Sequence, residues 1–377
     1  MKKFLYITHL SGRRFNRIWL SAIIAAQNRG YEVHLACNME NAARPGWDDD
    51  CKSLAVYTHQ IDFDRNPLGV SNIRAKKQLL DLMRIESFDI VHCNTPVGGL
   101  LGRICAHECR VPCVIYQAHG FHFWKGAPIK NWLVYYPVEY ILSYYTDVLV
   151  TIAVEDFEAS KTMHAKENRL VHGVGIDLTQ FRIREPHDRN NELREKFSIP
   201  INSFVMLSVG ELNKNKNHEI VIRAMARNKN SNDYYVICGE GKLKAYLSHL
   251  VSELGLEDHV IFAGFCNNVA EYYRMADLFV FPSLREGIPA AVMEAIACGV
   301  PVLTSDIRGI RDIVRDEQYR FNPLDKKALS DRIQTMKKNK DYSCVHNNYE
   351  SIQMYRFDSV IKEYKELYLN VLTKKSR

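Results

Sequence analysis

The sequence predicts an α/β protein built from two domains. The chain has 377 residues, which is long for one domain and suits two. Short apolar runs that predict buried strands alternate with amphipathic helical segments, first in a β–α–β opening over residues 4–36 and again from Phe204 onward. Hydrophobic residues make up 46% of the chain and charged residues 25%, which is enough apolar material for two sizeable cores.

Charge and cysteine usage narrow the class of protein. A formal net charge of +6 over this length is too small for a strongly basic nucleic-acid binder. The ten cysteines lie mostly inside apolar runs and include no Cys-x-x-Cys pair, which favours reduced thiols in a cytoplasmic protein. A metal site at Cys105, Cys109 and Cys113 is an alternative, but Cys113 falls in a strand, so buried thiols are favoured. The sequence shows neither a signal peptide nor a run of about 18 apolar residues that could span a membrane.

The first domain opens with a strand at Phe4–Thr8, a turn that contains Gly12, a helix and a second strand at Glu32–Ala36. The turn lacks Gly-x-Gly-x-x-Gly, so a dinucleotide site is not predicted there. Further strands are predicted at residues 90–93, 112–117 and 147–152, the last of these being the last clear strand of the first half. The polar segment that runs to Pro200 predicts a linker; it contains Pro186, Asp188, Arg189, Asn190 and Asn191.

The second domain is predicted to centre on a strand–loop–helix segment. The apolar run Leu278–Phe281 predicts a buried strand, and Glu286 lies in the loop that follows. A helix is predicted at Ala290–Cys298, with Pro289 in its first turn and the usual glycine and proline after its end. The other strands of this domain are predicted at residues 204–209, 234–238, 260–263 and 300–304.

This segment combines an anion site with two carboxylates. The first amides of a helix at the carboxyl end of a parallel sheet favour negative charge. Glu286 and Glu294, separated by seven residues, would instead accept hydrogen bonds from hydroxyl groups. Phosphate flanked by two hydroxyl acceptors describes a sugar nucleotide. The alternative is that Glu286 is a loop charge and Glu294 a solvated helix residue.

From Glu286 to Val302 the sequence follows Glu-Gly-x-Pro-x-x-x-x-Glu-Ala-x-Ala-x-Gly-x-Pro-Val. This pattern resembles the signature of family 4 retaining glycosyltransferases. The resemblance implies the GT-B fold, in which two Rossmann-like domains face each other across a cleft. It implies an acceptor-binding domain at 1–180, a nucleotide-sugar-binding domain at 201–355 and a C-terminal helix at 356–377 that packs back on the first domain. Apolar residues at helical spacing in 361–371 fit that helix.

The resemblance also assigns roles to individual residues. Glu294 would accept hydrogen bonds from the ribose, while Glu286 would bind the donor sugar and stabilise the developing oxocarbenium ion. Lys216 would neutralise the departing diphosphate, and His119 would position the sugar. The proposed catalytic residues are therefore His119, Lys216 and Glu286. The other donor-binding positions are Gly12, Gly210, Gly239, Phe265, Gly287, Ile288, Ala290 and Ala291.

Two positions depart from the family pattern. Glu211 stands where an arginine is usual, so either Lys214 or another cation replaces that arginine, or the diphosphate is less well neutralised. Pro289 stands where relatives offer an amide, which removes one donor contact. Gly239 and Gly241 fit close approach by a nucleotide, although an ordinary tight turn would also explain both glycines.

Two segments predict contact with a membrane or with the acceptor. Residues 72–84 are predicted to form an amphipathic helix with a basic cluster at Arg74, Lys76, Lys77 and Arg84. The cluster, of which Arg74, Lys76 and Lys77 are the proposed membrane or acceptor contacts, would contact anionic headgroups or be a solvated face. An aromatic-rich segment carries Trp124, Lys125, Lys130 and Trp132, a composition typical of a membrane interface. An acceptor cleft or a partner surface would have the same composition.

The predicted function is transfer of a sugar, with retention, from a nucleotide sugar to a lipid-linked saccharide. The string His119-Gly-Phe-His-Phe resembles the subset that builds surface polysaccharides or glycans on undecaprenyl-type lipids. UDP-sugars are the typical donors, and no metal or other cofactor is expected. The enzyme would be cytoplasmic and peripheral on the inner membrane face, with no nucleic-acid partner. The alternatives are a sugar-nucleotide epimerase of the same fold, a phosphorylase, for which no pyridoxal-lysine motif is recognisable, and a non-catalytic membrane adaptor.

Overall fold

The chain divides into two compact units in the computed structural model, which describes residues 1–10, 15, 17–40, 46–182, 191–228, 230–339 and 343–373. Unit 1 comprises Met1–Gly175 together with Phe357–Arg377. Unit 2 is the continuous segment Ile176–Arg356. The chain therefore leaves unit 1 once and returns to it with its C-terminal segment.

Unit 1 contains a seven-stranded parallel sheet in the order β3-β2-β1-β4-β5-β6-β7. Its strands are β1 (Lys3–Leu10), β2 (Glu32–Asn38), β3 (Tyr57–Gln60), β4 (Ile90–Asn94), β5 (Cys113–Ala118), β6 (Val148–Thr151) and β7 (Glu167–Leu170). A further strand, β7, follows the predicted last clear strand at 147–152 and pairs with β6. β7 lies at the sheet edge and has the polar sequence Glu-Asn-Arg-Leu, which gives no buried-strand pattern.

Unit 2 contains a six-stranded parallel sheet in the order β10-β9-β8-β11-β12-β13. Its strands are β8 (Phe204–Val209), β9 (Asp233–Cys238), β10 (Val260–Gly264), β11 (Leu278–Phe281), β12 (Val302–Ser305) and β13 (Arg320–Phe321). The predicted strands 204–209 and 278–281 have these bounds, and the others agree to within about two residues.

Helices connect the strands in both units. In chain order they are α1 (Arg17–Gln27), α2 (Gly46–Ser53), α3 (Ser71–Glu86), α4 (Pro96–Glu108), α5 (Ile129–Ser143), α6 (Val154–Ser160), α7 (Asn191–Lys196), α8 (His218–Arg227), α9 (Lys244–Glu253), α10 (Val269–Met275), α11 (Ala290–Ala297), α12 (Ile310–Ile313), α13 (Lys326–Asn339), α14 (Ser343–Ser351) and α15 (Phe357–Thr373). Short 3₁₀ turns lie at Glu317–Tyr319 and Gln353–Tyr355.

Both faces of the unit 1 sheet are buried. Phe4 and Tyr6 of β1 enter one apolar cluster, and their neighbours Leu5 and Ile7 enter another. This alternation follows from the two-residue period of a strand, and it explains why β1 is apolar throughout. The cluster around Phe4 also contains side chains of α1 and α15.

The C-terminal helix α15 completes unit 1. Its apolar face contributes Tyr364 and Tyr368 to the cluster around Phe4. The Tyr364 hydroxyl donates to Oε1 of Gln117 at 2.7 Å, and the Tyr368 hydroxyl lies 2.9 Å from Nδ1 of His92. These hydrogen bonds connect the helix to buried polar side chains on β4 and β5.

The segment predicted as a linker is in part a folded element of unit 2. Asn191 begins α7, and Arg194 on this helix is fully buried. The Arg194 guanidinium donates to Oδ2 of Asp277 at 2.9 Å and to three main-chain carbonyls, including that of Met275 at 2.7 Å. Pro186, Asp188, Arg189 and Asn190 lie outside the described residues.

Candidate active site

Each sheet reverses its strand order at one place, between β1 and β4 in unit 1 and between β8 and β11 in unit 2. Open parallel sheets bind ligands at the carboxyl ends of the strands that flank such a switch point. The loops after β8 and β11 carry Lys216 and Glu286. The loops after β4 and β5 carry Thr95 and His119. Lys216 and Glu286 therefore lie at the unit 2 switch point, whereas His119 follows β5, one strand away from the unit 1 switch point.

Lys216 and Glu286 form a half-buried ion pair at the unit 2 switch point. Nζ of Lys216 lies 2.7 Å from Oε1 of Glu286. Asn215 supports the pair, because its Nδ2 donates to the same oxygen at 3.3 Å and to the main-chain carbonyl of Arg285 at 2.9 Å. The ammonium keeps N–H groups for a phosphate, and the carboxylate keeps lone pairs for a hydroxyl group.

Glycine allows the loops of this site to pack against one another. A Cβ atom on Gly239 would lie 2.0 Å from the carbonyl oxygen of Gly210, and one on Gly309 would lie 1.6 Å from the carbonyl oxygen of Gly287. Gly309 also has φ +73°, a conformation that other residues adopt only with strain. Gly309 therefore lets the loop that contains Glu286 and Gly287 approach closely, although sequence reasoning did not select it.

The helix after Glu286 begins at Ala290, as predicted, and ends at Ala297, one residue before the predicted end. Pro289 is the N-cap of α11, with φ −82° and ψ 116°, and is not part of its first turn. The carbonyl of Pro289 accepts from the amide of Val292 at 3.2 Å, and no side chain caps the helix. Ala290 and Ala291 supply the first helical amides, and Ile288 is buried beneath the loop. A helix start of this kind favours an anion.

Glu294 lies on α11 beside a buried tyrosine. The Tyr273 hydroxyl donates to Oε2 of Glu294 at 3.0 Å and lies 3.1 Å from the carbonyl oxygen of Ala291. Burial and the Glu294 carboxylate hold the pKa of Tyr273 well above its usual range, so its hydroxyl stays protonated. Tyr273 orients Glu294, and sequence reasoning did not select it.

Glu211 occupies the position where the family usually has an arginine, so no cation lies there. Glu211 is exposed, and its Oε2 accepts from Nδ2 of Asn213 at 2.9 Å. Lys214 is also exposed. Another cation, Arg308, is buried near this site, and its Nε lies 3.4 Å from the carbonyl oxygen of Glu286. Arg308 was not selected from the sequence because it lies beyond the signature, in the loop after β12.

Phe265, predicted to border the base, follows β10 and is 56% exposed. It lines a cavity of about 610 Å³ together with Cys266 and Tyr272. An exposed aromatic ring beside a cavity offers a stacking surface for a ring-shaped ligand.

His119 lies at the carboxyl end of β5, where its Nε2 is 3.0 Å from Oδ1 of Asn94 at the end of β4. Burial lowers the pKa of His119 to about 4, so its imidazole is neutral at pH 7. Thr95, which follows Asn94, has φ +66° and ψ 157°, a strained conformation that costs on the order of 1–3 kcal/mol. Gly12, the other donor position predicted in this unit, lies outside the described residues.

The basic cluster on α3 is less available than predicted. Lys76 forms an ion pair with Glu108 at 2.6 Å, and Arg74 lies 3.3 Å from Asp62. Lys77 is exposed. Two of the four cations in the predicted cluster thus have acidic partners within unit 1, so the cluster carries less net charge than its sequence implies.

The aromatic-rich segment forms an exposed apolar surface in unit 1. Trp124 is half-buried, Trp132 is 39% exposed, and Lys125 and Lys130 are exposed. We define the α5 face as the exposed apolar side chains of this helix, namely Ile129, Trp132, Leu133, Val134, Tyr135, Val138 and Ile141. This many exposed apolar side chains on one helix are typical of an interaction site.

Across the described ranges, no helix combines the length and the apolar character that crossing a bilayer requires. The same ranges contain one group of three side chains that could hold a metal ion, formed by Glu32, His34 and Glu86. These residues belong to unit 1, and none of them was predicted to act in the site.

Two family models match the chain. Residues 189–351 match the family "Glycosyl transferases group 1", and residues 10–152 match the family "Glycosyl transferase 4-like". The chain is 39% identical to the glycosyltransferase EpsD of Bacillus subtilis (strain 168) over 298 residues, which are 78% of this chain and 76% of the relative. The chain belongs to the group 1 glycosyltransferases.

Other relatives extend the comparison. This glycosyltransferase is 29% identical over 309 residues to the Escherichia coli UDP-Gal:alpha-D-GlcNAc-diphosphoundecaprenol alpha-1,3-galactosyltransferase, covering 80% of this chain and 78% of that enzyme. The crystal structure of Anabaena Alr3699/HepE in complex with UDP and glucose superposes with a TM-score of 0.79 at 17% identity, covering 98% of this chain and 100% of that chain. This likeness shows the GT-B fold, with two Rossmann-like domains of parallel sheets.

Proposed function

We propose that this glycosyltransferase moves a sugar from a UDP-sugar to a lipid-linked saccharide in the assembly of a surface polysaccharide or glycan. The observation that carries the proposal is the Lys216–Glu286 pair beside the start of α11. A cation and free amides bind a diphosphate, while a carboxylate at the same place binds sugar hydroxyl groups.

UDP is the favoured nucleotide for two reasons. The E. coli relative is named for UDP-Gal, and the HepE structure holds UDP. The lipid-linked acceptor rests on the same relative, whose named acceptor is a diphosphoundecaprenol-linked sugar. We propose that Arg308 supplies the second cation near the diphosphate, in place of the arginine that Glu211 replaces.

We propose that transfer retains the anomeric configuration. The leaving phosphate would act as the base on the face where the acceptor attacks, so the protein needs no nucleophile. Glu286 would bind the donor sugar, Glu294 the ribose and Lys216 the diphosphate, while His119 would position the sugar. Neither a metal ion nor another cofactor enters this scheme, since Lys216 and the α11 amides carry the phosphate charge.

We propose that the enzyme works at the inner face of the membrane. The α5 face, with the exposed Lys125 and Lys130 near it, has the apolar and basic composition of an interfacial helix. Binding of the chain to anionic vesicles, weakened when Leu133 and Val134 become serine, would support this placement. Equal binding by that variant would contradict it.

The first test is a thermal-shift titration with UDP, GDP, ADP and nicotinamide dinucleotides. A ligand that binds only the folded state at ~100 times its Kd stabilises it by about 2.7 kcal/mol, which raises Tm measurably. A shift with UDP alone supports the proposed donor. A shift with GDP or ADP alone would change the donor, and no shift with any nucleotide would overturn the donor site.

A matched pair of variants tests whether Glu286 acts in the donor site. Glu286→Gln removes the carboxylate that pairs with Lys216 at 2.7 Å, while Glu219→Gln removes one that pairs with Arg223 at 2.7 Å on the surface of α8. We expect Glu286→Gln to lower turnover of the UDP-sugar at least tenfold and Glu219→Gln to leave it unchanged. If both variants lower turnover equally, the role of Glu286 is only structural.

A further inference from the structure

Two cysteines of unit 2 meet where β9 and β10 end. Cys238 is the last residue of β9, and Cys266 follows the last residue of β10, Gly264, by two positions. Gly264 pairs with Cys238 in the register of the two strands. It also has φ +72°, so the chain turns there instead of continuing along the strand. Neither cysteine has a role in the scheme given above.

A shared carbonyl group places the two cysteines side by side. The carbonyl oxygen of Gly264 accepts from the amide of Gly239, which directly follows Cys238, at 2.7 Å. Sγ of Cys266 lies 3.4 Å from the same oxygen. Both cysteines are free thiols, and their side chains are in hydrogen-bond contact. An S–S bond is about 2.05 Å long, so its formation requires the loop that carries Cys266 to shift towards β9.

The two thiols differ in how a small molecule can reach them. Cys238 is 2% exposed and lies beneath the loop. Cys266 is half-buried and lines the cavity of about 610 Å³ that also contains the Phe265 and Tyr272 side chains. A reagent that enters this cavity therefore meets the sulfur of Cys266 first, and the sulfur of Cys238 lies behind it.

The surroundings of Cys266 favour its ionised form. The hydrogen bond from the Cys238 thiol lowers the pKa of Cys266, and burial of the sulfur opposes this shift. A hydrogen bond from the Tyr272 hydroxyl and the nearby charge of Lys196 lower the same pKa further. The contact with Cys266 raises the pKa of Cys238, so the shared proton stays on Cys238. Because the thiolate is the nucleophilic form of cysteine, the accessible member of the pair is also the reactive one.

We propose that Cys266 is an oxidation site for hydroperoxides and that Cys238 converts the oxidised sulfur to a disulfide. The Cys266 thiolate attacks one oxygen of hydrogen peroxide, the O–O bond breaks and a sulfenic acid forms, while the departing hydroxide takes a proton from solvent and leaves as water. The Cys238 sulfur then attacks the Cys266 sulfur. The S–S bond forms, the S–O bond breaks, and the hydroxyl group leaves as water with the Cys238 proton. The two thiols lose two electrons, which reduce one peroxide to two water molecules, and a dithiol reductant reverses the disulfide by exchange.

The disulfide would act on the donor site through its neighbours in sequence. Gly239 follows Cys238, and Phe265 precedes Cys266; both are proposed donor-binding positions. Gly239 already packs so closely on Gly210 that a Cβ atom would lie 2.0 Å from its carbonyl oxygen, so the loop that carries Phe265 is the part that moves. We expect this shift to weaken binding of the nucleotide. This consequence rests on the proposed function, whereas the oxidation itself does not.

Peptide mapping of the full chain tests the oxidation directly. The reduced protein is treated with hydrogen peroxide, its remaining thiols are blocked with N-ethylmaleimide, and it is digested with trypsin. Cys238 and Cys266 lie in separate tryptic peptides, 230–242 and 245–274, which contain no other cysteine. We expect these two peptides to be cross-linked and to separate after treatment with dithiothreitol. In Cys238→Ser we expect a sulfenic acid on Cys266 that dimedone traps. Absence of the cross-link in the unmodified sequence overturns the proposal.

A second cysteine of the same protein serves as the control for reactivity. Cys109 of unit 1 is also half-buried, and its Sγ lies 3.9 Å from the carbonyl oxygen of Leu80, but burial raises the pKa of its thiol. We expect iodoacetamide to alkylate Cys266 roughly tenfold faster than Cys109 at pH 7, because a larger fraction of Cys266 is thiolate. Equal rates would mean that Cys266 is an ordinary thiol and would overturn the proposal.

A thermal-shift titration with UDP, on reduced and oxidised samples of each protein, tests the consequence for the donor. Oxidation should raise the apparent Kd of UDP roughly threefold or more, because the stacking contact offered by Phe265 is lost. The ratio between the two samples should stay at one in Cys266→Ser and should match the unmodified sequence in Cys109→Ser. An equal rise in Cys266→Ser, or a cross-link that leaves the Kd unchanged, would overturn the effect on the donor. A cross-link in a protein that binds no nucleotide even when reduced would contradict the proposed function and support the oxidation site alone.

Discussion

The two switch points carry different side chains. In unit 2 a cation, Lys216, pairs with a carboxylate, Glu286, beside the start of α11, and the proposed donor site rests on this arrangement. In unit 1 a cavity of about 180 Å³ at the carboxyl ends of β4 and β5 is lined by His119 and Glu139, and Glu139 pairs with the buried Arg103. The side chains differ although both sheets are parallel and reverse their order in the same way.

The two sites also differ in how they are held. In unit 2, glycine lets main-chain loops pack at distances that exclude a side chain, as Gly309 does against Gly287. In unit 1, side chains from distant segments hold one another, as Arg103, Tyr116 and Glu139 do. We therefore expect the loops of the unit 2 site to be sensitive to added atoms, and the Arg103–Tyr116–Glu139 network of unit 1 to be sensitive to lost hydrogen bonds.

The largest expected effect concerns the buried arginine of unit 2. Arg194→Met leaves Asp277 buried without its cation, which costs about 3–5 kcal/mol in free energy of unfolding. Urea denaturation monitored by fluorescence measures the loss, and the UDP-induced shift should persist in the folded fraction. A change below about 1 kcal/mol would mean that Arg194 does not hold α7 in unit 2.

Two glycine variants test whether close packing of the main-chain loops matters for the donor site. Gly309→Ala puts a methyl group on the Gly287 carbonyl, whereas a Cβ atom on Gly264, which has φ +72°, would meet no atom within 4 Å. Both alanine variants carry the backbone strain of about 1 kcal/mol, but only Gly309→Ala must displace the Glu286 loop. We expect it alone to raise the donor KM at least tenfold. If Gly309→Ala and Gly264→Ala have the same donor KM, the close approach of Gly309 to Gly287 does not matter for donor binding.

The third prediction compares one buried histidine from each unit. Burial lowers the pKa of His92 to about 3 and that of His218 to about 4. Below about pH 6.5 the unfolded chain binds protons that the folded chain does not, so stability falls as pH falls from 6.5 toward these values. At pH 5 each histidine should cost roughly 2 kcal/mol relative to neutral pH.

Urea denaturation at pH 7, 6 and 5 measures this loss. His218→Gln should reduce the pH dependence, and replacement of the exposed His249 serves as the control because its side chain is 74% exposed. The same slope in all three proteins would mean that His218 does not contribute to acid destabilisation.

The smallest effect is expected at Tyr273. Tyr273→Phe removes the hydroxyl that donates to Glu294 and should raise the donor KM about fivefold, since a single hydrogen bond contributes about 1 kcal/mol. Tyr364→Phe removes the hydroxyl that donates to Gln117 in unit 1 and should leave the donor KM unchanged. If both variants raise it equally, the increase does not come from the contact between Tyr273 and Glu294.

The sequence predicted the unit 2 site better than the unit 1 cavity for a physical reason. Lys216 and Glu286 each follow an apolar strand, and adjacent parallel strands bring their carboxyl ends together, so a local pattern was enough. Glu139 reaches its cavity from a helix, and only the packing of α5 against α4 and β5 decides where it points. No spacing rule connects such segments.

Other differences between the predictions and the structure have the same cause, namely contacts between segments that are distant in sequence. The edge strands β3, β7 and β13 carry short or polar sequences, so hydrophobic patterning did not reveal them. The predicted basic cluster on α3 overlooked Glu108 and Asp62, which are distant in sequence and pair with Lys76 and Arg74. Hydrophobic patterning in the sequence identified the strands of the sheet interiors. Ion pairs between distant segments became evident only in the three-dimensional structure.

The return of the chain to unit 1 affects how the protein emerges from the ribosome. Unit 2 is continuous and can fold once residue 356 has cleared the exit tunnel, but unit 1 waits for α15. At synthesis rates of about 5–20 residues per second, roughly 10–40 s separate Gly175 from α15. During that time the apolar face that Tyr364 and Tyr368 later cover is open to water. The nascent chain therefore offers a binding surface to chaperones that the finished enzyme no longer has.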